Sequence, residues 1–352
     1  MLPLEWVNTT NLKYAREWHT ASVLIDGKVL VTGGIDTDRD ALGFTELYDP
    51  STDSWTTTDG LNNPRGFHTA SILADGKVLV TGGTDPNSDL TSTELYDPSK
   101  NRWTTTGNLN HARSLHTASV LTDGKVLVTS GGKYYQIETS STELYDPSTG
   151  EWTIRGNLSE ARSFHTASVL TDGKVLVTGG INTNGDATRS TELYDPSTDT
   201  WITTGNLNHA RAGHTASVLT NGKVLVTGGR TTGSDLTTTE LYDPSTGSWN
   251  TTGNLSHARA GHTASVLIDG KVLVTGGGFD PKIGKNSTEI YDPSTGSWVT
   301  SGNLNHARSY HTASVLTDGK VLVTGGQNDV RTLKSTELYD PLTSNWVSTE
   351  SD

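Results

Sequence analysis

Eleven histidines are the first residues of this chain to question for chemistry, and all of them fall at one of two positions in a repeated phrase. R-x-x-H-T-A-S recurs with its histidine at His19, His68, His116, His165, His214, His262 and His311, a period of 48 or 49 residues. Four copies add a second histidine, His111, His209, His257 and His306, five positions earlier. A metal or catalytic centre needs several donors gathered at one place, and local metal motifs have a close spacing that is missing here. Repetition on this scale serves a scaffold better than a reaction. The histidines are therefore expected to be hydrogen-bonded structural residues, with no metal site and no cofactor.

Arginine and glutamate repeat with them. Arg16, Arg65, Arg113, Arg162, Arg211, Arg259 and Arg308 each precede a histidine by three, and Glu46, Glu94, Glu143, Glu192, Glu240, Glu289 and Glu337 each stand two before a tyrosine. Buried charges must be paired, so the two sets are expected to meet as Arg–Glu stitches. Glycine pairs such as Gly33-Gly34 lack the following helix and the G-x-G-x-x-G or G-K-[ST] pattern of a phosphate loop. Close backbone approach at a strand end is their expected use.

The elements that position these residues are short. In residues 113–158, H-T-A-S-V-L and K-V-L-V-T are two β runs joined by Asp123-Gly124, and Asp-Gly or Asn-Gly between β runs is a hairpin signal because a type I′ turn needs positive φ at both central residues. A variable stretch follows, then T-E-L-Y, a turn on Asp-Pro-Ser-Thr, and a fourth run opened by Trp152. Four short antiparallel strands cannot bury both faces alone, and seven such sheets packed round an axis solve the problem. Small residues such as Ala118 and Ser119 suit a crowded axis, and tryptophan suits the wide rim. The fold class is all-β: a seven-bladed β-propeller of four-stranded antiparallel blades, over approximately 16–60, 65–109, 113–158, 162–207, 211–255, 259–304 and 308–350, in one domain spanning 1–352. Eight tryptophans compete for seven outer strands: both Trp6, in a strand over 4–10, and Trp346 claim the last blade, whose terminal strands are expected to lock the ring.

The order Gly-Gly, Tyr-Asp-Pro, Trp at a period near 50 resembles the kelch motif of the galactose oxidase/kelch-type superfamily, over essentially the whole chain. The resemblance implies a propeller used for recognition. It also brings in enzymes, copper oxidases similar to galactose oxidase and sugar epimerases. The oxidases need a tyrosine cross-linked to cysteine, and the chain has no cysteine.

Composition narrows the classes further. A net charge of -13 opposes nucleic acid and acidic membranes, which need a clustered basic surface. No apolar run approaches membrane-spanning length, and M-L-P-L-E-W carries no leader pattern, so a signal peptide is expected to be absent or trimmed. A monomer is expected.

Function is expected where the copies differ. Strands alternate up and down, so the links from strand two to three and from blade to blade emerge on one face, and the hairpin and Tyr-Asp-Pro turns on the other. The turn face is nearly monotonous. Nine aromatics outside the repeat, Tyr14, Trp18, Phe44, Phe67, Tyr134, Tyr135, Phe164, Phe279 and Tyr310, all fall in or beside links of the variable face. Trp18, Phe67, Leu115, Phe164, Gly213, Gly261 and Tyr310 share the position before the histidine, giving a channel mouth bulky on one side and open on the other. With links 35–44, 133–141, 230–238 and 327–335, the expected binding residues are Trp18, Phe67, Tyr134, Tyr135, Phe164, Arg230, Tyr310 and Arg331, for a protein, peptide or glycan. The alternative is an epimerase- or lyase-like carbohydrate enzyme at the same mouth, drawing on Glu17, Glu138, Tyr134, Tyr135, Arg230 and Arg331 without a recognisable motif. Plugging the mouth is the plainer role for these side chains, and copies this uniform also arise by recent duplication or consensus design without a dedicated ligand.

Overall fold

The structure, a computed structural model, describes residues 6–133, 136–137, 139–278 and 285–341. In the first blade the strands Thr20–Val23, Val29–Thr32, Thr45–Asp49 and Ser54–Thr57 pair antiparallel in chain order. Asp26-Gly27 turns the first pair, with the Gly27 N–H donating to Leu24 O at 2.9 Å; only Gly27, at φ 84°, is left-handed, so the hairpin forms as expected but not through the type I′ turn, which needs positive φ at Asp26 as well. The pattern repeats in seven four-stranded sheets, and the described residues contain no helix.

Each second strand, Val-Leu-Val-Thr, is buried on both faces because it lies between sheets. The core is consequently inter-blade: Leu24 and Leu30 of one blade pack with Val78, Val80, Tyr96 and Trp103 of the next. Tyrosine and tryptophan sit opposite each other on strands three and four, as Tyr96 and Trp103 do with centroids 5.2 Å apart.

The ring closes. The seven innermost strands, Thr20–Val23, Thr69–Ile72, Thr117–Val120, Thr166–Val169, Thr215–Val218, Thr263–Val266 and Thr312–Val315, touch their neighbours in sequence, and the last touches the first. The last sheet takes its outer strand from the other end of the chain: Val7–Asn8 pairs with Thr336–Tyr339, in the register Val7 opposite Leu338. Trp6 packs on Tyr339 at 5.2 Å and is 4 % exposed, the place held by the fourth-strand tryptophan elsewhere. The N-terminal claim to the last blade is thus the one realised; Trp346 lies outside the described residues.

Candidate functional site

The repeated polar residues build the scaffold under the site. Every arginine of the phrase is fully buried and meets its glutamate, from Arg16–Glu46 at 2.6 Å to Arg65–Glu94 at 2.9 Å. Most of the rest of each guanidinium is occupied too, the buried Nε of Arg16 and of Arg259 being without a partner: Arg113 donates to Ser130 O at 2.7 Å and Ser141 O at 3.0 Å, and Glu143 accepts from the N–H of Asn110 at 2.7 Å. Burial alone would raise the Glu143 carboxyl, but the Asn110 amides and Arg113 outweigh it and hold it below its ordinary value. The stitch ties the segment entering a blade to the third strand of that blade.

The histidines stitch neighbouring blades. His116 Nε2 is 3.0 Å from Thr69 Oγ1 and 3.1 Å from Thr81 Oγ1 of the preceding blade, and His19 makes the same pair across the closure, with Thr312 at 3.0 Å and Thr324 at 3.1 Å. Burial, then the adjacent arginine, pushes His68 and His165 down to about 3 and the other five well below their ordinary value, so the rings are neutral. The glycine pairs behave as expected: a Cβ on Gly33 would lie 2.6 Å from the Arg65 carbonyl of the next blade.

One residue before each histidine the backbone turns left-handed. Trp18, Phe67, Leu115, Phe164 and Tyr310 sit at φ 54–55°, and Gly213 and Gly261 at 60° and 61°. The turn lets successive blades join hands: Phe67 N donates to Trp18 O at 3.1 Å, Gly213 N to Phe164 O at 2.9 Å, and Tyr310 N to Gly261 O at 3.0 Å. This conformation costs a residue with a Cβ about 1–2 kcal/mol, and glycine nothing comparable. Five positions nonetheless carry large side chains.

Those side chains meet over the axis. Trp18 stacks on Tyr310 at 3.9 Å, lies 4.5 Å from Phe67, and meets Phe164 edge-on at 6.0 Å. Since Phe164 is three blades away, the indole reaches across the mouth. A basin of ≈ 270 Å³ is lined by this ring position together with the histidines that follow it. The two-glycine gap read from the sequence is narrower than expected, because the Tyr310 ring lies on Gly261, where a Cβ would come within 2.6 Å of it. Gly213 has only contacts of 3.8 Å and beyond at that point and remains the open side.

The other predicted residues are dispersed. Arg230 bridges by backbone to Ala212, next to Gly213, so it flanks the open side. Arg331 lines a separate groove at the seam between the first and last blades. Tyr134, Tyr135, Glu138 and Phe279 lie outside the described residues. Links of both kinds do share a face: Glu17 and Ile35 exchange backbone hydrogen bonds at 2.8 and 3.0 Å, as do Ser163 and Ile181.

Sequence reasoning gave too little attention to two features of the first blade. Glu17 stands where the other six copies have glycine, alanine or serine; burial first, against a weaker pull from Arg39, raises its carboxyl to about 7, and Oε2 is buried without a hydrogen-bond partner. Tyr14 and Phe44 stack at 4.1 Å, with Phe44 46 % exposed, where most other blades have a histidine or asparagine and a serine or threonine. Both were visible as departures from the repeat.

Sequence comparison agrees with this architecture: the KLHDC2/KLHL20/DRC7 Kelch-repeats domain matches residues 5–180 and 164–352. The chain belongs to the Kelch-repeat family. No curated protein matches this Kelch propeller significantly. Among solved structures it is similar to a fungal alcohol oxidase of the AA5 family in complex with copper, at 20 % identity and a TM-score of 0.80, over 96 % of this chain and 76 % of that one. At that identity the likeness is one of fold, and as 960 solved chains match, the fold selects no function. A copper site does not fit the residues present: there is no cysteine, the ring histidines spend Nε2 on threonine, and no three His, Cys, Asp or Glu side chains among the described residues converge as ligands.

Proposed function

We propose that this Kelch propeller is a non-catalytic recognition scaffold, with its ligand surface on the face of the strand-two-to-three and inter-blade links and its centre at the aromatic mouth. One observation carries the reading. Bulky residues occupy a left-handed position that two of the seven copies fill with glycine, and side chains retained against backbone strain cluster at ligand clamps. Trp18, Phe67, Phe164 and Tyr310 form the apolar floor, and Arg230 beside the Gly213 gap supplies a polar contact. A floor of this kind suits an aromatic or aliphatic side chain of a peptide, or the apolar face of a sugar ring.

Glu17 favours a second reading, a carbohydrate-active enzyme using its near-neutral carboxyl as an acid or base. That chemistry calls for a second group within reach. A peptide and glycan array probed with the wild type, Trp18→Ala and Tyr135→Ala tests the first reading: a hit lost in both variants supports it, and hits indifferent to both reject it. Turnover of a bound glycan, abolished by Glu17→Gln, would move the assignment to the second.

A further inference from the structure

A groove of ≈ 420 Å³ opens at the seam, between the N-terminal segment (Asn8, Thr9, Asn11) and the last blade's link (Arg331, Lys334), with Thr37 and His306 on its walls. Its backbone is held by the closure itself: Leu12 N donates to Lys334 O at 3.0 Å and Arg16 N to Leu333 O at 3.1 Å.

Three links of equal length show what is special here. Gln327 pairs with Thr332 as Thr84 does with Asp89 and Arg230 with Asp235, and Leu333, Leu90 and Leu236 each donate an N–H to a glycine carbonyl at 2.7–2.8 Å. On this shared backbone, Ser88-Asp89-Leu90-Thr91 and Ser234-Asp235-Leu236-Thr237 become Arg331-Thr332-Leu333-Lys334. Over the whole links the formal charge is -2 in 84–91 (two Asp), 0 in 230–237 (Arg and Asp) and +1 in 327–334 (Arg and Lys against Asp329). The lysines of the hairpin turns, among them Lys28, Lys77 and Lys174, are paired with aspartates, whereas Arg331 and Lys334 are exposed and form no ion pair among the described residues. The chain thus keeps two cations without an ion pair, with Asp329 the one acid of their link, beside a polar groove on a protein of net charge -13.

We propose that this seam groove binds a multivalent oxyanion, a phosphate-, sulfate- or carboxylate-bearing group. Arg331 offers its planar fork and Lys334 a point charge, and the Asn11 amide with the Thr37 hydroxyl supply neutral donors; the Thr9 hydroxyl is spent on Asp53. The net negative charge disfavours such a ligand over most of the surface, and two cations three residues apart on one lip of a groove single out this place. Because one wall comes from each end of the chain, the ligand binds only the closed ring, and its occupancy stabilises closure by mass action. The groove is separate from the mouth, so the fate of one assignment leaves the other standing.

Tripolyphosphate, citrate and a sulfated disaccharide, titrated separately by calorimetry at low salt into the full chain, test the proposal. At least one binds, R331A/K334A weakens it tenfold or more, K100A at a distant turn leaves it unchanged, and the thermal midpoint of the wild type alone rises with that probe. The probe that binds identifies the phosphate, carboxylate or sulfate source. If the double variant melts lower without a probe, K334Q alone provides the comparison. Binding by none of the three, or equal binding by wild type and variants, overturns the proposal.

Discussion

Trp18 and Tyr310 stack at 3.9 Å across the seam where the first and last blades meet, each held at φ 54°. The stack and the strain oppose each other in the folded state. Replacing Trp18 with glycine removes about 0.5–1.5 kcal/mol of ring contact and about 1 kcal/mol for the area this half-buried ring keeps from water, and relieves about 1–2 kcal/mol of backbone cost. Trp18→Gly and Phe164→Gly are therefore expected to unfold within about 1.5 kcal/mol of wild type in urea, while losing ligand. A loss of 3 kcal/mol or more would make the mouth a plug that holds the fold together.

Closure should be costly to remove. Trp6 is 4 % exposed against Tyr339, so Trp6→Ala is expected to cost about 3–5 kcal/mol and to lower the cooperativity of unfolding, read as a smaller denaturant slope. A variant with wild-type stability would show that the terminal strand is dispensable.

Much of this was legible in the sequence, and for one reason. Seven copies of a 48- or 49-residue phrase average out local ambiguity, so Asp-Gly or Asn-Gly turns, Arg–Glu stitches and tryptophan outer strands could each be read at least seven times. What could not be read is singular. Nothing in the sequence says that the Tyr310 ring covers Gly261, since that depends on one rotamer over the axis. Glu17 and the Tyr14–Phe44 stack occur once each, and a repeat-based reading discounts single departures.

The buried stitches make a prediction about charge. Arg113 and Glu143 are fully buried 2.7 Å apart. Removing one partner leaves an uncompensated charge, and Arg113→Met is expected to cost about 3–5 kcal/mol. Arg113→Met with Glu143→Leu should recover part of that, and a double-mutant cycle in urea measures how much.

Acid should unfold the ring through its histidines. Their folded pKa values, about 3 for His68 and His165 and well below 6.5 for the rest, lie under the unfolded value of 6.5. The unfolded chain then holds more protons as pH falls below about 6.5, so stability is full above that pH and declines below it. Glu17, raised to about 7, works in the opposite sense above its ordinary value of 4.5, but it is one group against seven. Urea midpoints from pH 7.5 to 5 should fall steadily; a flat profile would show that the imidazoles are not buried neutral.

Glu17 has its own test. Its Oε2 is buried without a partner, and an unsatisfied buried group costs about 1–3 kcal/mol. Glu17→Ala, matching the small residue of other copies, is expected to raise the urea midpoint at pH 8 more than at pH 5. A lowered midpoint at pH 8 would mean that the carboxyl makes a favourable contact.

The recognition role is tested most directly by titrating an array-selected ligand into wild type and Trp18→Gly of matched stability, by calorimetry. A loss of affinity of tenfold or more in the variant, with its fold intact by circular dichroism, is the predicted result. Equal affinities would place the ligand away from the mouth and contradict the account.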